Sequence, residues 1–156
     1  MEKYRYQDCK LTLREGLEEY YTSNPPKIKE YADKYGDFLI SHDLTHVIFG
    51  LGTSIKEESM LDTWTIWGTN ITWKKIFEYS FNKELRELTK ELVRDIGGWF
   101  VVSKAVFNAI PLKLKIIFKR IPKIKKKWPF ENVTEEMLST SIEDLRKEYG
   151  IKVLHI

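Results

Sequence analysis

The chain predicts an all-α, single-domain helical bundle, on three observations. Apolar residues recur at helical spacing through most of the 156 positions. Helix-stopping pairs, Asn24-Pro25-Pro26 and Gly50-Leu51-Gly52, punctuate those runs. No stretch alternates apolar and polar residues at strand period. The length suits one domain with a sizeable core. Apolar residues at 42% and charged ones at 31% describe a folded globular chain rather than a disordered one.

Each element follows from its pattern. Residues 11–21 place Leu13, Leu17, Tyr20 and Tyr21 on one helical stripe, and the prolines stop it. Helical periodicity resumes over 27–49 through Ile28, Tyr31, Tyr35, Phe38 and Leu39, with Gly36 able to kink or split it. Gly50 and Gly52 end that helix, and Ser54-Ile55-Lys56-Glu57 reads as a capping box opening the next. This second helix extends towards Phe81, with a break near Gly68, where β-branched Thr69, Ile71 and Thr72 follow. A further helix covers 82–108. Its segment 96–110 is nearly all apolar apart from Lys104, too short to span a bilayer, and is expected as a buried core helix bent at Gly97-Gly98.

Two of the three histidines stand four apart in His42-Asp43-Leu44-Thr45-His46. On a helix they share a face, and Asp43, three before His46, flanks the same stripe. Alone, such a pair reads as two solvated or hydrogen-bonded imidazoles. The helix–Gly turn–helix hairpin that follows brings Glu58 back to their level. Two imidazoles and one or two carboxylates are a ligand set for a borderline divalent cation, zinc ahead of iron. His42, His46 and Glu58 are the candidate metal ligands, with Asp43 either a fourth ligand or a catalytic acid/base group. Three protein ligands leave a position for Lewis-acid chemistry, whereas four make a closed, structural site. Zinc excludes redox chemistry by the metal; iron held by two histidines and one carboxylate would make a facial triad. Trp64 and Trp67 are core residues or, if a flat aromatic substrate binds nearby, its walls.

The spacing His42-Asp43-x-x-His46-x11-Glu58, with Phe49-Gly50-Leu51-Gly52-Thr53 linking it, resembles the signature of the ubiquinone (coenzyme Q) biosynthesis protein family of the Coq-four type. Trp128-Pro129-Phe130-Glu131 and the helix from Ser141 to Ile151 are similar to that family's closing elements, and residues 11–24 to its entry helix. The resemblance implies a bound metal and a hydrophobic cavity for a prenyl tail. It implies removal of the C1 carboxylate from a polyprenylated benzoate head group, coupled to hydroxylation there. It further implies association with other biosynthetic enzymes at a membrane. The alternative reading is a non-catalytic lipid- or precursor-binding scaffold with a structural metal. A phosphohydrolase built on the His-Asp doublet would need further histidines, and only His155, in the C-terminal tail, remains.

Charge is unevenly spread. Between Asp95 and Glu131 no acidic residue occurs, yet there are nine basic ones: Lys104, Lys113, Lys115, Lys119, Arg120, Lys123, Lys125, Lys126 and Lys127. Apolar residues interleave with them. The stretch from Lys113 to Lys127 therefore reads either as a segment for an anionic membrane surface or as a solvated cationic face. Nucleic acid is the weaker reading, since no recognised binding motif accompanies the patch. Cys9 is the single cysteine and has no internal disulfide partner, and no signal peptide is apparent. The Asn132-Val133-Thr134 sequon is then an accident of composition. The cytoplasm, with peripheral attachment to the inner face of the membrane, is the expected location.

Overall fold

Nine α-helices carry the chain among residues 2–154, the part that the computed structural model describes. Helix α1 (Leu13–Ser23) opens with a complete capping box: Thr12 accepts from the Glu15 N–H and the Glu15 carboxylate accepts from the Thr12 N–H. Helix α2 (Pro26–Tyr35) begins on proline, whose missing N–H costs nothing there. Gly36, at φ 68°, divides the expected long helix, so α3 (Asp37–Phe49) runs separately. Beyond the Gly-containing turn come α4 (Ile55–Gly68) and α5 (Trp73–Phe81), parted at Thr69 to Thr72, where the sequence allows a break. Helices α6 (Lys83–Asp95) and α7 (Trp99–Lys115) are separated by Gly97 and Gly98 at φ 103° and 85°, a full break rather than a bend. A π-turn (Ile116–Arg120) and a 3-10 turn (Ile121–Lys123) continue α7 before α8 (Glu135–Ser139) and α9 (Ile142–Tyr149) close the chain.

The core forms where α1, α3, α4 and α9 meet. Phe49 stacks on Trp64 with ring centroids 4.6 Å apart and planes 13° from parallel, which ties the end of α3 to the middle of α4. Trp128 is fully buried. Its N–H donates to the Gly68 carbonyl at 2.9 Å and its carbonyl accepts from the Asn70 N–H at 2.9 Å, so the Trp-Pro element clasps the end of α4.

Arg146 of α9 is also fully buried. Its Nε donates to the Ile48 carbonyl (2.8 Å), its Nη2 to those of Tyr4 (2.7 Å) and Val47 (2.8 Å), and its Nη1 to that of Tyr6. Two of these carbonyls belong to the last turn of α3, where the i+4 partner is missing; that of Ile48 relies on the guanidinium, and that of Val47 also accepts from the Gly50 N–H at 3.2 Å. Burial pulls the guanidinium down to about 10, with no carboxylate beside it to offset the cost. The side chain thus locks the N-terminal segment, α3 and α9 together.

One expectation is overturned. The apolar segment 96–110 is not a buried core helix: among its residues only Ala109 and the immediate contact side of α7 are covered, while Trp99, Phe100 and Phe107 are 64%, 83% and 72% exposed. Helix α7 packs one side against α4 and has no covering layer on the other. Apolar composition measures how much a helix could bury, not how many neighbours it receives.

Candidate metal centre

His42 and His46 stand at the middle and in the last turn of α3, within the stretch 41–49 whose residues are mostly buried. Gly50 caps it in the left-handed conformation at φ 69°, with the Leu51 N–H returning to the His46 carbonyl at 3.0 Å. The turn into α4 is held by Glu57. Its carboxylate accepts from the Gly52 N–H (2.9 Å) and the Ser54 hydroxyl (2.7 Å) and pairs with Arg5. The capping box expected at Ser54 is therefore half formed. Ser54 accepts from the Glu57 N–H, but the glutamate spends its oxygens on the turn. A Cβ at Gly52 would lie 3.0 Å from Glu57 Oε2 and 2.9 Å from Arg5 Nη1, so both side-chain ends would have to shift to admit one. With Glu57 turned to the loop, Glu58 faces α3.

One ligand atom each from His42, His46 and Glu58 lie within 4.8 Å of one another. His46 Nε2 is 3.2 Å from Glu58 Oε1, and His42 Nε2 is 3.7 Å from Glu58 Oε2. A tetrahedral ion with bonds near 2.0–2.1 Å sets its ligand atoms about 3.3 Å apart; the two His–Glu58 separations are close to that, and the set as a whole, at up to 4.8 Å, would draw in around an ion. His46 is fully buried, stacked on Tyr20 at 5.1 Å, and neither ring nitrogen has a hydrogen-bond partner. Apart from the nearby Glu58 carboxylate nothing offsets the burial of this ring, and a cation at Nε2 would satisfy it. Solvent reaches 29% of the His42 side chain and 39% of that of Glu58, so the cluster is sealed by His46 and open on the opposite side.

Asp43 is placed elsewhere than a ligand position. It is buried, with Oδ2 accepting from the Tyr21 hydroxyl at 3.0 Å and Oδ1 3.6 Å from His42 Nδ1, the nitrogen turned away from Glu58. It stands behind His42 as an outer partner that orients the ring. Burial pulls the His42 imidazole down, but contact with Asp43 and the negative charges of Glu58 and Asp43 outweigh this and raise it to about 9. Burial likewise pushes the Glu58 carboxyl up, while His46 and His42 more than offset it and hold it below the usual range.

The tryptophans do not wall the cluster. Trp64 is wholly buried against Phe49, and Trp67, half exposed, lies nine residues and two and a half turns beyond Glu58, on the far side of α4. Asp62 is the residue that sequence reasoning passed over, although it stands one turn from Glu58 on the same face. Burial and the charge of Glu58 push its carboxyl up, against the pull of His42, Lys113 and His46. Lys113 turns inward from α7, with Nζ 3.2 Å from the Ser59 hydroxyl. A cavity of about 520 Å³ lined by Tyr6, Asp8, Cys9, Lys10 and Leu11 shares no residue with the cluster. His155 lies outside the described residues.

Compared with family models, with curated proteins and with solved structures, the chain gives no match.

Proposed function

We propose that this chain is a metal-binding protein of the ubiquinone-biosynthesis type, acting on the C1 carboxylate of a polyprenylated benzoate head group. The observation that carries the reading is the convergence of His42, His46 and Glu58 on one point with one side open to solvent. These are the residues on which the resemblance to that family rests. Three ligands and an open side favour a working centre over the closed, four-ligand site of a scaffold.

A divalent ion held there supplies Lewis-acid polarisation of a carboxylate or phenolate oxygen. The chain's own residues do the rest. Asp43, braced by Tyr21, keeps His42 Nε2 turned towards the cluster. His46, packed on Tyr20, closes the inner side against water. Lys113, on the α7 side next to Ser59 and acting electrostatically on Asp62, brings a positive charge to the approach of an anionic head group.

The test combines elemental analysis of the purified chain with an assay on a short-chain prenylated dihydroxybenzoate labelled at the carboxyl carbon. One zinc or iron per chain, lost in His46→Ala, and label released as carbon dioxide only by the loaded protein are the expected results. A chain that takes up no divalent ion on titration overturns the metal centre. A fully loaded chain that binds the acid but releases no label overturns the enzymatic reading.

A further inference from the structure

In sequence, 96–110 reads as an apolar core helix and the stretch from Lys113 to Lys127 as mixed basic and apolar residues. The structure sorts them onto different sides of α7. At about 100° per residue, Ala105, Ala109, Leu112 and Ile116 share the side packed on α4, and these are the buried or half-buried positions. The opposite side carries Phe100, Phe107, Ile110, Leu114 and, beyond the π-turn, Phe118, exposed by 83%, 72%, 41%, 47% and 71%. Lys104, Lys115 and Lys119 occupy one flank between the two, and none has an acidic partner among the described residues. Other members of the cationic run are spoken for: Lys113 reaches Ser59, Lys125 donates to the Lys147 carbonyl, and Lys126 pairs with Glu148.

We propose that the outer face of α7 is a docking surface for an anionic lipid bilayer, lying in the interface with its phenylalanines among the acyl chains and its lysines at the headgroups. Soluble surfaces rarely keep such a contiguous apolar stripe uncovered. A helix with one apolar side and a lysine flank matches the composition of interfacial helices. The charge selects the occupant. Residues 96–130 contain no aspartate or glutamate and Lys104, Lys115 and Lys119 have no acidic partner among the described residues, so a second copy meeting this face would bring lysine flank to lysine flank, whereas anionic headgroups complement it. Attachment is parallel to the surface, because no helix among the described residues is long and apolar enough to cross a membrane. The proposal uses none of the metal-cluster residues and stands or falls apart from that reading.

The test is co-sedimentation of the full chain with vesicles of phosphatidylcholine alone and of phosphatidylcholine with about 30% phosphatidylglycerol. Binding to the anionic vesicles, weakened by salt, is expected. At roughly 1 kcal/mol per lysine near the surface, Lys104→Gln/Lys115→Gln/Lys119→Gln lowers the partition coefficient about 100-fold. Phe100→Ser/Phe107→Ser removes binding altogether, with the helical circular dichroism and the metal content unchanged, since both side chains are exposed. Failure to bind anionic vesicles, or binding unaltered in both variants, overturns the proposal. So does a dimer in sedimentation equilibrium that Phe100→Ser/Phe107→Ser dissolves, which would assign the face to a second copy.

Discussion

Replacing Arg146 with methionine removes a side chain that joins the N-terminal segment, the end of α3 and α9. It deletes four hydrogen bonds from a charged donor to the carbonyls of Tyr4, Tyr6, Val47 and Ile48. Such bonds contribute roughly 1.5–3 kcal/mol each, so a simple sum would reach about 6–12 kcal/mol. Two terms reduce it. Methionine relieves the desolvation of a buried cation that has no carboxylate partner, and the Val47 carbonyl keeps the Gly50 N–H at 3.2 Å. The expected loss is about 4 kcal/mol, a large part of the roughly 5–15 kcal/mol typical of a domain. Urea unfolding followed by circular dichroism measures it directly, and the melting temperature should fall by about 8–16 °C. Arg146→Lys should be nearly as damaging, because one ammonium cannot span four carbonyls. A loss below about 1 kcal/mol in Arg146→Met would refute the argument that these carbonyls depend on the guanidinium.

Two further outcomes follow from other parts of the structure. Gly150→Ala forces an L side chain to φ 71°, with its Cβ 2.5 Å from the Lys123 carbonyl oxygen and 2.8 Å from the Lys125 nitrogen. Since both are backbone atoms and cannot swing aside, thermal melting should show a loss of about 3 kcal/mol or more, beyond the 1–2 kcal/mol of the left-handed conformation alone. Asp43→Asn keeps the shape behind His42 but removes its charge; competition with a chelator should show metal affinity reduced about 10–100-fold, with Tyr21→Phe giving a smaller loss. An Asp43→Asn protein that instead loses the ion completely, as His46→Ala does, would place Asp43 among the ligands.

Much of the helical architecture and the pairing of the site's elements is legible before any coordinates. The His42/His46 spacing, the Gly50-Leu51-Gly52 turn and the return to Glu58 are all local. They follow from the helical repeat and from glycine's access to positive φ, so a short window of sequence contains the physics. The breaks at Gly36, Gly68 and Gly97-Gly98 are local in the same way, although whether a glycine bends a helix or ends it depends on what packs beside it. The Thr12/Glu15 capping box is local in the same way. Asp62 was legible as one turn from Glu58, but its approach to the histidines and Lys113 depends on where α3 and α7 lie.

Other features depend on residues far apart in the chain. Asp43 is adjacent to His42 in sequence, yet its role is set by Tyr21, 22 residues away, which draws the carboxylate to the back of the ring. Glu57 and Glu58 are neighbours of one type; Arg5 and Gly52 take the first, and the second is left for the histidines. Trp64 and Trp67 look alike in the sequence, and only the position of Phe49 makes one core and leaves the other at the surface. For α7 the sequence by itself determined a long, apolar, lysine-bearing helix. That its apolar residues stand in the open was decided by tertiary structure alone, because covering a second side requires another layer of chain, and the helices after α6 are committed to α4, α3 and the N-terminal segment.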